Sequence, residues 1–328
     1  MGCCSRRPGP SSRRTGRDGS LTTAEVAPGS SGFAAALAAA VSELPHGLRT
    51  RFAPAPTGYL HLGHVANALV VWDVAQKSGG QVVLRIEDHD RQRCRSAYEA
   101  ALLDDLEALD FVPDEPATDE LRTGRPSSHR QSDNAVVYEA AVAQLAAMGL
   151  VYPCDCSRST FAAWAAGHGR SWSGAGCPGQ CAARELAMGG DAPTWRVALG
   201  EGEEAWTDLV LGARSGPVAP AGDLPVRDRL GNWTYALCVV VDDLRHGIDL
   251  VIRGDDLLDA TPVQIALGRL LGRAEPPRFL HHPLIRRPDG RKLSKADGAT
   301  SIRSMLAAGT SAASLRARAA KAIGLRPS

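Results

Sequence analysis

A long hydrophobic run, a marked net charge and a recognisable secretory signal are all missing from this sequence. Its 328 residues are 44% hydrophobic and 22% charged, which is the balance of an ordinary globular protein. No stretch approaches eighteen consecutive apolar residues, so we expect no segment that crosses a membrane. The formal net charge of +1 predicts no general attraction to nucleic acids.

Positive charge is nevertheless concentrated in one part of the chain. Between residues 291 and 328, eight Lys or Arg side chains stand against a single Asp. A basic surface of this kind could hold a phosphate backbone, but a solvated helical face would have the same composition. The sequence leaves both interpretations open.

Cysteine is sparse outside one cluster. Four of the eight cysteines lie near one another in the chain, at Cys154, Cys156, Cys177 and Cys181. Without a secretory signal, clustered cysteines indicate a metal site in a reducing cytoplasm rather than a disulfide framework. Four thiolates suit one structural, tetrahedral Zn²⁺, and the alternative is a set of reduced, buried thiols.

The order of β and α patterns divides the chain. Short β-branched runs alternate with helical patterns over residues 49–150 and again over residues 232–300, which predicts an α/β fold with a doubly wound sheet. Residues 151–231 lose this rhythm and are rich in Gly, Trp and loops, as expected for an insertion between the two halves. We expect residues 1–48 to be a disordered basic extension with a lead-in helix, and residues 301–328 a short, basic, helical C-terminus.

A proline-broken, extended stretch passes into a helical run at the tetrapeptide His-Leu-Gly-His, which begins at His61. The first turn of a helix offers unpaired backbone N–H groups, and Gly63 lets a base or a phosphate approach the backbone closely. A single histidine is usually structural, but the pair formed with His64 is matched by Lys292 and Lys295 in a polar loop. Together these residues predict an anion site.

Further motifs extend this pattern. Arg-Phe-Ala-Pro-x-Pro-Thr-Gly precedes the histidines, Leu-Arg-Ile-Glu-Asp covers residues 84–88, and Val-Ile-Arg-Gly-Asp-Asp covers residues 251–256. Their order and spacing resemble the glutamyl-tRNA synthetase family of class I aminoacyl-tRNA synthetases, from about residue 49 to residue 300. The resemblance implies a Rossmann-like class I synthetase catalytic domain, split by a zinc-containing insertion and without an anticodon-binding domain.

The resemblance also implies ATP, with Mg²⁺, as a substrate. On the family's motifs, His61, Gly63, His64 and Lys295 bind ATP, while His61, His64, Lys292 and Lys295 act in catalysis. An amino acid carboxylate is already ionised at pH 7, so it attacks the α-phosphate without a general base. These residues would therefore position ATP and neutralise the charge that grows on its phosphates.

For the amino acid, the resemblance implies contacts to glutamate from Arg51, Ala55, Glu87, Tyr235 and Arg253. Arginine matches a carboxylate with two parallel hydrogen bonds, and Arg253 would read the side-chain carboxylate while Glu87 binds the α-amino group. Ala55 stands where the family usually has serine and would contribute only its backbone. A structural ion pair between Arg253 and the aspartates that follow it is the alternative.

Little of the chain follows Lys295, and the truncated relatives that share the cysteine cluster are glutamyl-Q tRNA(Asp) synthetases. The resemblance therefore implies activation of glutamate without tRNA, followed by its transfer to the cyclopentene diol of queuosine at the wobble position of tRNA(Asp). Two alternatives remain: a minimal synthetase that charges a tRNA 3′ end, and a non-catalytic protein that binds nucleotides or RNA. We expect a cytoplasmic monomer with no membrane partner.

Overall fold

The computed structural model describes residues 32–168, 176–184, 186, 193–219, 222–286 and 300–325. The strands are β1 (Arg49–Phe52), β2 (Gln81–Leu84), β3 (Val151–Cys154), β4 (Thr194–Val197), β5 (Glu203–Asp208), β6 (Gly212–Pro217), β7 (Leu224–Arg227), β8 (Leu250–Gly254) and β9 (Arg278–His282). The helices are α1 (Phe33–Ser42), α2 (Leu62–Ser78), α3 (Ser96–Ala108), α4 (Thr118–Arg122), α5 (Ala135–Ala147), α6 (Arg158–Gly167), α7 (Tyr235–Arg245), α8 (Thr261–Leu270), α9 (Ile302–Ala307) and α10 (Ala312–Ala322). Two short 3-10 helices span Gln131–Asp133 and Asp255–Ala260.

Parallel strands from distant parts of the chain form the centre of the molecule. β1 pairs with β2, and β8 pairs with β9, both in parallel. β8 lies beside β1, where the backbone N–H of Asp249 donates to the carbonyl of Arg49 at 2.9 Å. The strands are almost fully buried, as expected when helices cover both faces of a sheet. The predicted α/β class is confirmed.

The long helix α2 covers this sheet and connects β1 to β2. Its inward side carries β-branched residues such as Val65, Val70 and Val74, which pack into a core shared with α1, α3 and α10. The helix ends at Gly79, whose left-handed backbone (φ +59°) closes the last turn at little cost for glycine. The chain then turns directly into β2. No helix of the described ranges combines the length and apolar character needed to cross a bilayer.

The middle of the chain contains more regular structure than its sequence indicated. β3, β4 and β7 form a small antiparallel sheet, with α6 following β3. β5 and β6 form a hairpin, and Asp208 at the end of β5 pairs in parallel with Phe279 of β9. The hairpin thereby extends the central sheet in the order β6-β5-β9-β8, so that this sheet is mixed rather than purely parallel.

The sequence pattern did not reveal these strands for a physical reason. They span only four to six residues, and β6 is exposed along most of its length. A strand of four to six residues offers too few positions for a clear alternation of apolar and polar side chains, and an exposed edge strand such as β6 has no apolar face at all.

The ends of the chain are described only in part. The lead-in helix expected from Phe33 is present as α1, and the basic helix expected near the C-terminus is present as α10. The predicted disordered extension falls on residues 1–31, which lie outside the described residues.

Candidate active site and cysteine cluster

The turn from His61 to His64 follows β1 and opens α2. The side chain of His61 caps the helix: its Nδ1 accepts from the backbone N–H of Gly63 at 3.1 Å, while Nδ1 of His64 accepts from the N–H of His61 at 3.1 Å. The centres of the two rings lie 4.0 Å apart. Because both Nδ1 atoms accept, the Nε2 atom of each neutral ring carries the proton and is a donor. Two ring donors at a helix N-terminus form a setting that favours an anion.

Glycine at position 63 makes this turn possible. An ideal Cβ at Gly63 would lie 2.9 Å from Cε1 and 3.0 Å from Nδ1 of His61, so the ring could not stay folded back on the turn. One helical turn further, the side-chain amide of Asn67 lies 2.9 Å from Nε2 of His282 at the end of β9. The start of α2 therefore lies beside the carboxyl ends of the central strands, where ligands bind in α/β folds.

A buried ionic cluster lies at the same edge of the sheet. Arg51 of β1 donates Nε–H to Oδ1 of Asp243 at 3.2 Å, and Arg85 donates to the same oxygen at 2.7 Å. Arg85 also donates to Oε1 of Glu87 at 3.0 Å. Since Asp243 lies on α7, the cluster joins β1 and the residues after β2 to the second half of the chain.

The pKa values in this cluster reflect burial opposed by charge. Burial alone would raise the pKa of Asp243, but Arg51 and Arg85 hold it below its usual range. Burial would likewise lower the pKa of Arg85, and the carboxylates of Asp243, Glu87 and Asp242 raise it instead. Arg85 and Asp243 are therefore charged at neutral pH, and the cluster is held together by its own electrostatics.

Arg253, at the end of β8, is buried with 4% of its surface exposed and donates to uncharged acceptors. It donates Nε–H to Nε2 of His281 at 3.0 Å, Nη1–H to Oε1 of Gln264 at 2.6 Å and Nη2–H to Oγ1 of Thr261 at 2.8 Å. Oδ1 of Asp255 is buried and has no hydrogen-bond partner among the described residues, so it does not hold Arg253 through that oxygen. Burial lowers the pKa of Arg253, and the charge of Arg51 adds to this effect.

The other predicted glutamate contacts gather around these two arginines. Tyr235 begins α7, and its hydroxyl lies close enough to the guanidinium of Arg253 to raise the pKa of that arginine. Glu87 follows β2 and is buried, with one carboxylate oxygen held by Arg85. Ala55 is half-buried, and its carbonyl accepts from the N–H of Thr57 at 2.9 Å.

The two lysines predicted to act on ATP, Lys292 and Lys295, lie outside the described residues. The described chain stops at Arg286 and resumes at Thr300, shortly before the backbone N–H of Ile302 donates to the carbonyl of Leu60 at 2.8 Å.

Sequence reasoning assigned no part in the site to several residues that support it, and it interpreted His281 as a structural or surface residue. Asp243 holds Arg51, while Gln264 and His281 hold Arg253. One signal was available: Arg85 is an arginine inside an apolar strand run, and a buried arginine requires acceptors from elsewhere. Nothing in the sequence identified which residues those acceptors would be.

The four clustered cysteines come together as predicted. Their sulfur atoms all lie within 4.8 Å of one another, with Cys156 and Cys181 separated by 3.3 Å, and none forms a disulfide. All four side chains are buried. The thiol of Cys177 donates to the sulfur of Cys154, and this hydrogen bond, together with burial, raises the pKa of Cys177 to about 12 and lowers that of Cys154. Four buried thiol sulfurs at these distances are the kind of ligand set that could hold a metal ion.

Polar groups around the cluster hold it in place. The amide of Gln180 donates to the sulfur of Cys156 at 3.2 Å, and Arg229 donates to the carbonyl of Cys156 at 3.0 Å. A second layer of hydrogen bonds of this kind commonly orients metal ligands. The cluster could therefore hold one metal ion.

Comparison with known proteins gives consistent results. Residues 47–319 match the family described as tRNA synthetases class I (E and Q), catalytic domain. The chain is 42% identical over 269 residues to a glutamyl-Q tRNA(Asp) synthetase of Symbiobacterium thermophilum, covering 80% of this chain and 82% of that protein. It is 37% identical over 261 residues to glutamate–tRNA ligase 2 of Syntrophus aciditrophicus, covering 78% of this chain and 53% of the ligase.

A similar structure is the crystal structure of a glutamate tRNA ligase from Elizabethkingia meningosepticum in complex with its amino acid. The TM-score is 0.65 at 28% sequence identity, over 77% of this chain and 53% of that one. The chain thus spans about half the length of the glutamate–tRNA ligases it matches. The fold, the family match and these relatives agree, and the chain belongs to the class I tRNA synthetase family for E and Q, of which it contains the catalytic domain.

Proposed function

We propose that this protein activates glutamate with ATP and transfers the glutamyl group to queuosine in tRNA(Asp). The observation that carries the proposal is the buried guanidinium of Arg253, whose three acceptors are all uncharged. A buried charge is costly unless it is paired, and the carboxylate of Asp243 opposes the effect of burial only from a distance, so an anion entering beside Arg253 would be stabilised. The side-chain carboxylate of glutamate supplies that anion.

The surrounding groups suit the rest of the amino acid. Nε2 of Gln264 is buried and has no hydrogen-bond partner within the described ranges, which leaves a donor beside Arg253 for a carboxylate oxygen. Arg51 would hold the α-carboxylate and Glu87 the α-amino group, with Tyr235 alongside. Glutamine would leave the charge of Arg253 unpaired, at a cost of roughly 1 to 3 kcal/mol or more. The site therefore favours glutamate over glutamine.

In the first step, a carboxylate oxygen of glutamate attacks the α-phosphorus of ATP. The bond to the β-phosphate breaks, and pyrophosphate leaves with Mg²⁺ while glutamyl-adenylate remains. In this arrangement the rings of His61 and His64, at the positive end of α2, would lie against the phosphates, and Lys292 and Lys295 would add positive charge. Catalysis consists of positioning and charge neutralisation, without a general base.

In the second step, a hydroxyl oxygen of the queuosine diol attacks the carbonyl carbon of the adenylate. The bond to AMP breaks, an ester forms, and the hydroxyl proton leaves with the phosphate or with water. The choice of queuosine is supported by relatives named glutamyl-Q tRNA(Asp) synthetase at 42%, 40% and 36% identity.

Charging of a tRNA 3′ end is the second candidate function. It is favoured by the similarity to glutamate–tRNA ligase 2 of Syntrophus aciditrophicus, which matches a similar fraction of this chain. Both candidates use one amino acid site and differ only in the hydroxyl group that accepts glutamate.

We further propose that the four-cysteine cluster binds one structural Zn²⁺. The test is metal analysis of the purified protein, with one zinc per chain expected. Cys156→Ser should lose the metal, because a hydroxyl is a poor zinc ligand. Cys238→Ser is the matched control, since Cys238 is a buried cysteine on α7 away from the cluster. Metal content below about one tenth of an atom per chain, in protein never exposed to chelator, would reject the zinc assignment, because a structural site of this kind binds its metal tightly.

The catalytic proposal is tested by glutamate-dependent exchange of pyrophosphate into ATP without tRNA, followed by transfer of labelled glutamate. Transfer is compared on tRNA(Asp) with queuosine and on the same tRNA transcribed without it. Exchange with queuosine-dependent labelling is the expected result. Equal labelling of both tRNAs would reject queuosine as the acceptor and favour charging of the tRNA 3′ end. Absence of pyrophosphate exchange would reject both activities and favour a non-catalytic protein that binds nucleotides or RNA.

A further inference from the structure

A pair of buried side chains, Asp208 and His281, lies next to Arg253. Each of the two residues is 1% exposed. Asp208 ends β5, which belongs to the hairpin between β4 and β7, whereas His281 lies on β9. Neither residue belongs to the motifs that identified the family.

Asp208 acts only as an acceptor. Its Oδ2 accepts from Nδ1 of His281 at 2.6 Å and from the backbone N–H of His281 at 3.1 Å. Its Oδ1 accepts from the backbone N–H groups of Val210 and Leu211 at 3.0 and 2.9 Å. A carboxylate with these neighbours requires a donor on the imidazole, so the proton of the ring lies on Nδ1.

The tautomer of His281 then follows. With the proton on Nδ1, the Nε2 atom of a neutral ring presents a lone pair, and this lone pair accepts from Nε–H of Arg253 at 3.0 Å. Burial lowers the pKa of His281, and the charge of Arg253 adds to this against the opposing effects of Asp208 and Asp255. The ring is therefore neutral at physiological pH.

The neutral acceptor has a chemical consequence. A carboxylate in the place of His281 would hold Arg253 equally well, but it would also neutralise the charge that the substrate has to meet. An imidazole fixes the guanidinium plane without placing a further negative charge beside it. The carboxylate of Asp208 is separated from Arg253 by the imidazole ring of His281. By accepting from Nδ1 of that ring, it keeps Nε2 unprotonated and able to accept from Arg253.

We infer that His281, oriented by Asp208, is a positioning residue that fixes Arg253 for the side-chain carboxylate of glutamate and thereby sets the preference for glutamate over glutamine. The inference rests on the proposed function for the identity of the ligand. It also gives the β5–β6 hairpin a role in specificity, because the hairpin supplies Asp208.

Two variants of similar size separate positioning from mere structure. His281→Asn places an amide near the position of Nδ1, where it can donate to Asp208 but cannot reach Arg253. His281→Gln extends an amide oxygen to the position of Nε2, where it can accept from Arg253. A purely structural role would make the two variants equivalent. If His281 positions Arg253, glutamate binding should be weakened in His281→Asn and retained in His281→Gln, because only Gln can accept from Arg253.

The expected result for His281→Asn is a rise of tenfold or more in both KM and Kd for glutamate, with KM for ATP unchanged. The ratio of glutamate to glutamine activity in pyrophosphate exchange should fall by a similar factor. For His281→Gln, the KM and Kd for glutamate and the ratio of glutamate to glutamine activity should stay within about threefold of the values of the unsubstituted protein. Binding of glutamate is measured by calorimetry and does not depend on catalysis, and unfolding of both variants is followed to confirm that they are folded.

The tautomer is tested separately in the unsubstituted protein. Long-range ¹H–¹⁵N spectra of ¹⁵N-histidine-labelled protein, assigned through His281→Gln, should show a proton on Nδ1 and none on Nε2 of His281. The inference is overturned if Nε2 carries the proton, or if the Asn and Gln variants bind glutamate equally well. Normal glutamate binding without any exchange would instead reject the proposed activation of glutamate and leave the positioning role standing.

Discussion

At the scale of single residues, Arg253 gives the most direct test of the site. We expect Arg253→Met to cost about 2 to 5 kcal/mol in the kcat/KM for glutamate, or about 30- to 5,000-fold in exchange, because a buried charge pair with the substrate is lost. The KM for ATP should change little. Arg278→Met is the control, since Arg278 is exposed at the opposite end of β9. Equal losses in the two variants would argue against carboxylate recognition by Arg253.

A second residue-scale prediction concerns stability. Asp105 is buried on α3, its Oδ2 has no hydrogen-bond partner in the part of the chain that the structure describes, and burial raises its pKa to about 6 despite the opposing charge of Arg303. A raised carboxyl pKa favours the protonated folded state, so stability is greatest below the ordinary pKa and is lost as the pH rises through about 6.

Asp105→Asn imitates the protonated form. It should raise the free energy of unfolding by up to about 3 kcal/mol at pH 7 and by clearly less at pH 5. Urea unfolding at both pH values checks this. Asp104→Asn, at the exposed neighbouring position, should change stability by less than about 1 kcal/mol at either pH. A gain for Asp105→Asn that did not depend on pH would contradict the explanation.

Motif residues and their partners differ in how far the sequence could predict them. Arg51 and Arg253 stand in recognisable local patterns, and the structure brings both to one edge of the sheet. Their partners could not be found in this way, because Asp243 is 192 residues from Arg51 and Asp208 is 73 residues from His281. A hydrogen bond between such distant positions leaves no periodic or compositional trace in a single sequence.

At the scale of elements, the turn that opens α2 carries the predicted contact to ATP. Gly63→Ala would place a methyl group against the His61 ring, so the ring has to leave its capping position. We expect the KM for ATP in pyrophosphate exchange to rise about tenfold, while the lost cap lowers stability by about 1 kcal/mol. Gly167→Ala is the control, because a Cβ at Gly167 meets open space at the end of α6. An unchanged KM for ATP would show that the turn at Gly63 does not contribute to ATP binding.

Elements were predicted unevenly, and their burial explains why. α2, β2 and β8 carry strong apolar patterns because they lie against the core, and the sequence indicated each of them. The β5–β6 hairpin was missed, since most of β6 is exposed and gains its pairing from β5 rather than from an apolar face. Its attachment to β9 depends on a strand that occurs about seventy residues later in the chain.

At the scale of the whole molecule, Asp243 joins the two halves of the fold. Asp243→Asn leaves Arg51 and Arg85 without their shared carboxylate and should destabilise the protein by about 3 to 5 kcal/mol at pH 7. The pKa of Asp243 is depressed in the folded state, so its contribution is present above the ordinary value and is lost as the pH falls through the lower folded value.

The difference in free energy of unfolding between Asp243→Asn and the unsubstituted protein should therefore shrink at acidic pH. Denaturant unfolding at pH 7, 4 and 3 measures it. Asp259→Asn, at an exposed position before α8, should have no comparable effect. A constant difference across this range would mean that Asp243 stabilises the protein by packing rather than by charge.

The neighbouring positions of β1 and β8 also constrain the order in which the protein can be completed during synthesis. Arg49 and Asp249 form mutual hydrogen bonds across 200 residues of chain. On the ribosome, β1 and β2 emerge long before β8, and until then β1 has an open edge while Arg51 and Arg85 lack Asp243. Such unpaired edges and unmatched charges are vulnerable to aggregation and slow to resolve. The pairing of β1 with β8 and the ion pairs of Asp243 can therefore form only after both halves of the chain have been synthesised.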